Sequence, residues 1–135
     1  MIVDTSALVA IVMREPGHEA LLETLTDPAS APGIGAPTVA ELGLVLCARL
    51  AIDARSIVTG LLDQFQIAVV PFSDNHWRAA IGAYRRFGRG RHLAALNFGD
   101  CLTYAVAALA GQPLLFVGED FTQTDLVAAQ AVREE

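Results

Sequence analysis

One feature constrains this chain more than any other: an apolar run that ends on a carboxylate and passes at once into a helical pattern, Met1-Ile2-Val3-Asp4-Thr5-Ser6-Ala7-Leu8. A buried strand that delivers an acid to the rim of a parallel sheet reads this way, and open α/β folds keep their sites on that rim. Three later stretches also set an acid beside apolar sequence: Thr38-Val39-Ala40-Glu41, Asn97-Phe98-Gly99-Asp100 and Gly118-Glu119-Asp120-Phe121. Asp4, Glu41, Asp100 and Asp120 are therefore the candidate site, and the expectation is that the fold gathers them as a divalent-metal cage.

Taken in order, the chain alternates strand and helix patterns. Residues 1–4 read as a strand, and Thr5 to about Met13 as a helix broken by Glu15-Pro16-Gly17. A second helix, His18 to Thr26, turns Leu21, Leu22 and Leu25 inward. Asp27 to Pro37 is a loop that can enclose a short strand near Gly33-Ile34-Gly35. Thr38 to Leu50 is apolar nearly all round, which predicts a buried helix. Asp53 caps a helix to about Gln64, and Ile67 to Val70 is a strand closed by Pro71. Ser73 starts a helix with Trp77, Ala80, Ile81 and Tyr84 on one face, ending in a basic stretch with Arg85, Arg86, Arg89 and Arg91. Asp100 to Ala110 is an alanine-rich helix, and Leu114 to Val117 the last strand. No tight hairpin signal interrupts the alternation, so the sheet should be mainly parallel. The expected organisation is one α/β domain over residues 1–131, with 132–135 a frayed tail.

At 135 residues the chain can bury a proper core. With 53% hydrophobic and only 18% charged residues, part of its surface should be covered by a second copy or a partner. It has no apolar run of about 18 residues, which argues against a membrane span, and no basic leader before Asp4, which argues against a signal peptide. Cys47 and Cys101 sit in apolar patterns as core thiols of a cytoplasmic protein. All nine basic residues are arginine, and the net charge of −6 argues against non-specific coating of nucleic acid. It does not argue against a nuclease, because acids that hold metal belong to that count.

Each acid also has a structural explanation. Asp4 can cap the helix behind it, Thr38-x-x-Glu41 matches a capping box, Asp100 falls where an N-cap belongs, and Glu119-Asp120 lies in a turn. Their common placement is the counter-argument. Four carboxylates on one rim repel unless protonated or neutralised, and a hard ion with oxygen ligands, Mg²⁺ or Mn²⁺, answers that need. His18, His76 and His92 are scattered, which gives no zinc pattern.

Four segments in order, Val3 to Leu8, Val39 to Leu42, Leu96 to Ala105 and Leu115 to Phe121, resemble the PIN-domain family and most closely its VapC-type toxins. The resemblance implies a three-layer α/β/α domain with a mainly parallel sheet, and a toxin that is a Mg²⁺-dependent endoribonuclease, with Mn²⁺ able to substitute. The family's acids fall on Asp4, Glu41 and Asp100, and more loosely on Asp120, with Asp125 nearby. Thr5 or Ser6 supplies the hydroxyl common beside the first acid, and Asn97 supports Asp100. On this reading Asp4 and Asp100 bind the ion, Glu41 and Asp120 complete the set, and an activated water attacks the phosphodiester. The arginines 85, 86, 89 and 91 either grip RNA phosphates or form a solvated helix end. The resemblance further implies a homodimer and a cognate VapB-like antitoxin whose C-terminal segment crosses the groove. Receiver domains and haloacid-dehalogenase-type phosphatases share such a rim but need a lysine, and this chain has none. The remaining alternative is an inactive domain whose acidic groove only binds a partner peptide.

Overall fold

Two residues of strand are enough to divide the core. In β1 (Ile2–Val3) successive side chains point to opposite faces. Ile2 packs with one hydrophobic cluster and Val3 with another. The structure, a computed structural model, describes residues 1–129. Its other strands are β2 (Gly33–Gly35), β3 (Ala68–Val70) and β4 (Leu114–Leu115). They form one sheet in the order β3-β2-β1-β4, with every pair parallel. Ile2 is in register with Gly33 on one side and Leu114 on the other. The chain then returns to the β4 edge through a bridge between Leu114 and Ala128.

The helices are α1 (Thr5–Val12), α2 (His18–Thr26), α3 (Ala36–Leu50), α4 (Arg55–Gln64), α5 (Asp74–Phe87) and α6 (Phe98–Ala110). Val3, Ile34 and Leu115 carry α1 to α4 on one face through Leu8, Leu25, Leu42, Leu46 and Leu61. Ile2, Leu114 and Phe116 carry α5 and α6 on the other through Phe87, Tyr104 and Val106. This is the three-layer α/β/α arrangement with a parallel sheet. Strand order reverses at β1, with β2 and β3 to one side and β4 to the other. Such a switch point opens a crevice at the strands' C-terminal ends. Among the described residues no helix is long and apolar enough to cross a membrane.

Several local expectations are corrected. α3 begins at Ala36 behind Gly35, with Pro37 in its first turn, so Thr38 and Glu41 do not form a capping box. Nor is α3 buried all round: Thr38, Leu42 and Leu46 are buried, whereas Leu44 is 72% exposed. A helix laid on a sheet covers only one of its faces, whatever the outer face is made of. On α5 the inward residues are Ala80, Ala83 and Phe87, while Trp77, Ile81 and Tyr84 lie open to solvent. The N-cap of α6 is Asn97, which puts Asp100 inside the first turn. Asp53 accepts from the Arg55 N–H but precedes the formal cap, Ala54. The expected tail, 132–135, lies outside the described residues.

One buried polar contact fixes the spacing of α3 and α6 beside the rim. The Thr38 and Thr103 hydroxyls lie 3.1 Å apart, each three residues from an acid of the candidate site. Thr103→Val alone should cost about 1–3 kcal/mol, because it strands the Thr38 hydroxyl in a dry contact. Thr38→Val with Thr103→Val should restore most of that loss in urea melts. Losses that simply add would mean that the pair does not act as a unit.

Candidate active site

Asp4 leaves β1 at the switch point and is only 6% exposed. It is the N-cap of α1: its Oδ2 accepts from the Ser6 N–H at 3.1 Å and from the Ser6 hydroxyl at 2.7 Å. Capping and a place on the rim are thus compatible. The Ser6 hydroxyl in turn accepts from the Val117 N–H at 2.9 Å, tying the exit of β4 to the first acid.

The early start of α3 makes Glu41 its sixth residue, beyond the reach of a capping role. Its Oε1 accepts from the Thr5 hydroxyl at 2.6 Å. On the other side lies Gly99, where an added Cβ would come within 2.6 Å of Oε2. The helix carrying Asp100 thus approaches this carboxylate so closely that a side chain at position 99 would push it aside.

Asn97 and Asp100 cap α6 reciprocally. The Asn97 side chain accepts from the Asp100 N–H at 2.9 Å, and Asp100 Oδ2 accepts from the Asn97 N–H at 3.1 Å. Burial pushes the Asp100 carboxyl up to about 7, against the opposing pull of the Asn97 N–H and with added repulsion from Asp120 and Asp4. Ionising Asp100 is therefore costly mainly because it is buried, and further because Asp120 and Asp4 are near.

Asp120 follows Gly118, whose φ of +101° allows the sharp exit from the sheet. The next residue, Phe121, is buried against Phe116 with ring centroids 5.4 Å apart, which pins the loop. Asp125 faces elsewhere. It accepts from the Tyr104 hydroxyl at 2.6 Å and from Arg86 at 3.3 Å. The Tyr104 hydroxyl holds the Asp125 carboxyl below its ordinary value, with Arg86 adding to that, while burial and Asp125 push the Tyr104 phenol up to about 12.

Asp4, Glu41, Asp100 and Asp120 line one cleft of about 300 Å³ together with Thr5 and Ser6. Val9, Val45, Glu15 and Arg49 continue it along α1 and α3. Among the described residues no three His, Cys, Asp or Glu side chains stand close enough together to hold a metal ion, so the four acids do not form the expected cage but share an open cleft. Its donor set nevertheless suits a hard divalent cation: carboxylates with hydroxyl neighbours, and neither imidazole nor thiol. None of Arg85, Arg86, Arg89 and Arg91 lines the cleft. Arg86 is engaged by Asp125 and Tyr104, and Arg91 lies over the Tyr84 ring at 5.2 Å. The sequence reading missed Gly99 and Arg49. The spacing Glu41, Val45, Arg49 along one helical face was the signal for the second.

The model of the PIN domain matches residues 1–127. A VapC ribonuclease of Mycobacterium bovis and ribonuclease VapC36 of Mycobacterium tuberculosis are each 51% identical over 93% of this chain and 91% of their own length. Among solved structures, VapC20 of Mycobacterium tuberculosis, described as a Sarcin-Ricin loop cleaving toxin, superposes with a TM-score of 0.78. That match covers 96% of this chain and 98% of the other at 16% identity, so it speaks for the fold alone. A toxin–antitoxin complex from Klebsiella pneumoniae gives 0.69 at 15% identity, over 97% and 98% of the two chains. With a fold, four ordered motifs and close relatives in agreement, the chain belongs to the PIN-domain family, on its VapC-type branch.

Proposed function

We propose that this protein is a metal-dependent endoribonuclease acting as the toxin of a toxin–antitoxin pair. The observation that carries the reading is that four carboxylates from four separate segments line one cleft at the sheet's switch point. Relatives half identical in sequence are named ribonucleases, which supports RNA as the substrate. Asp4, Glu41, Asp100 and Asp120 are the residues that would hold Mg²⁺, or Mn²⁺ in its place. Bound there, the ion supplies Lewis acidity, lowering the pKa of a water and offsetting charge on the phosphodiester in the transition state.

The chain's own residues prepare that site. Ser6 fixes the rotamer of Asp4, Thr5 fixes that of Glu41, and Asn97 holds Asp100 at the mouth of α6. Such locked acceptors lose little freedom on binding an ion. Arg85 and Arg89, exposed outside the cleft, are outer phosphate contacts, with Arg86 and Arg91 giving shape to that loop. The uncovered apolar residues Leu44, Trp77, Ile81 and Tyr84 provide surface for a homodimer and a VapB-like antitoxin in the cytoplasm.

The test is cleavage of total RNA by purified protein, with new 5′ ends mapped by sequencing. Cutting should require Mg²⁺ or Mn²⁺ and stop on addition of EDTA. Undiminished cutting in EDTA would remove the metal from the proposal.

A companion measurement separates the two late acids. Asp120→Asn should raise severalfold the Mn²⁺ concentration giving half-maximal cleavage, because this carboxylate lines the cleft. Asp125→Asn should cost about 1 kcal/mol of stability, a partly exposed hydrogen bond's worth, and leave the metal titration in place. The reverse pattern would exchange their roles.

A further inference from the structure

The cleft does not end at the acids. Glu41, Val45 and Arg49 recur every four residues along α3, and all three line it, facing Thr5 and Val9 of α1. Residues at this spacing share a helix face. At about 1.5 Å of rise per residue, Arg49 lies roughly 12 Å along α3 from Glu41. A groove thus runs outward from the acids between the two helices, floored by valines and ending in a guanidinium.

Arg49 is the sole cation among the described residues that line the cleft. Its partner is Glu15, 3.4 Å away, and the two side chains are 48% and 39% exposed. An ion pair so open to water contributes little and exchanges readily for a better acceptor. A phosphodiester is such an acceptor, since its oxygens match the fork of the guanidinium. The strand must also pass the four acids at the head of the cleft, so a positive group at the far end offsets repulsion that they create.

Building on the ribonuclease reading above, we propose that Arg49 is a phosphate-binding subsite for a single-stranded polyribonucleotide. The strand runs from the acids over Val9 and Val45, and Glu15 occupies the guanidinium until RNA displaces it. With a rise of about 3.4 Å per nucleotide when stacked and more when extended, the bound phosphate is roughly two to four nucleotides from the scissile one. The strand is then also held on the α1–α3 side, away from the arginines of the α5 end.

The experiment measures binding of a short labelled single-stranded RNA of mixed sequence as a function of salt, with Ca²⁺ replacing Mg²⁺ so that the strand stays intact. Arg49→Ala should weaken binding and reduce the magnitude of the log–log salt slope by about 0.7, the loss of one phosphate contact. Arg49→Lys should keep the slope, because it keeps the charge, while lowering affinity. Glu15→Gln should tighten binding at low salt by removing the competitor. Both residues lie on the surface, and matching thermal melts will show that the variants are folded. A native slope in Arg49→Ala, or no tightening in Glu15→Gln, overturns the subsite. Cleavage by the native protein in Mg²⁺ is scored separately, so a failed subsite is distinguishable from a failed nuclease reading.

Discussion

Replacing Asp100 by asparagine should give a protein that folds more stably above neutral pH and cuts RNA far more slowly. The carboxyl titrates at about 7 in the fold, against an ordinary value of 3.8, chiefly because it is buried. A group raised in this way favours the folded state fully below about pH 4, and that contribution is lost as pH climbs through about 7. With metal chelated, the native protein should therefore melt at a lower temperature at pH 8 than at pH 5. Each pH unit inside the window is worth at most about 1.4 kcal/mol, and less here because the carboxyl keeps contact with water. Asparagine keeps an acceptor for the Asn97 N–H and removes the charge, so the variant should show a flatter pH profile. Cleavage should fall by roughly 10²-fold or more, the scale on which losing one electrostatic partner of a transition state is felt. A variant that cuts at the native rate would remove Asp100 from the site. A native pH profile would show that neither burial nor the neighbouring acids hold this carboxyl up.

Gly99→Ala should separate activity from stability in a different way. The new methyl would lie 2.6 Å from Glu41 Oε2, so the carboxylate must swing away and loosen its bond to the Thr5 hydroxyl. Because the obstacle is the end of a flexible side chain, the fold can absorb it. Alanine also suits a helix better than glycine by about 0.5–1 kcal/mol. Thermal stability should then change little, while cleavage drops by about 10²-fold, as expected when a catalytic group is misplaced by about 1 Å. Calorimetry and a cleavage time course on the same preparation settle it. Full activity in Gly99→Ala would mean that the position of Glu41 does not matter.

What could be read from the sequence was local. Asp4 and Asp100 were legible because the signal at each, a strand ending on an acid and a helix opening near one, spans only a few residues. The strand near Gly33-Ile34-Gly35 was legible for the same reason. The common rim of the four acids followed from the alternation of strand and helix, but long-range side-chain pairing away from that rim was not legible. Asp125 is held by Tyr104 and Arg86, 21 and 39 residues away, and nothing in the intervening sequence announces it. Arg86 consequently read as a phosphate ligand like its neighbours. The outer face of α3 misled because an apolar pattern reports what a residue is and not what covers it; Leu44 is as apolar as Leu46 and lies on the other side. Arg49 was overlooked because an arginine in a helix's last turn needs no explanation until its face is known to line a cleft.

The Ser6 hydroxyl couples two parts of the chain that share no sequence neighbourhood. It donates to Asp4 and accepts from the amide of Val117, 111 residues away, at the head of the loop that carries Asp120. That amide is a resident observer of the cleft. Any occupant that draws charge from Asp4 polarises the serine hydroxyl and so alters the bond in which the Val117 proton sits. In an ¹⁵N-labelled sample, this single resonance would follow the filling and emptying of the cleft while the cutting itself stayed silent.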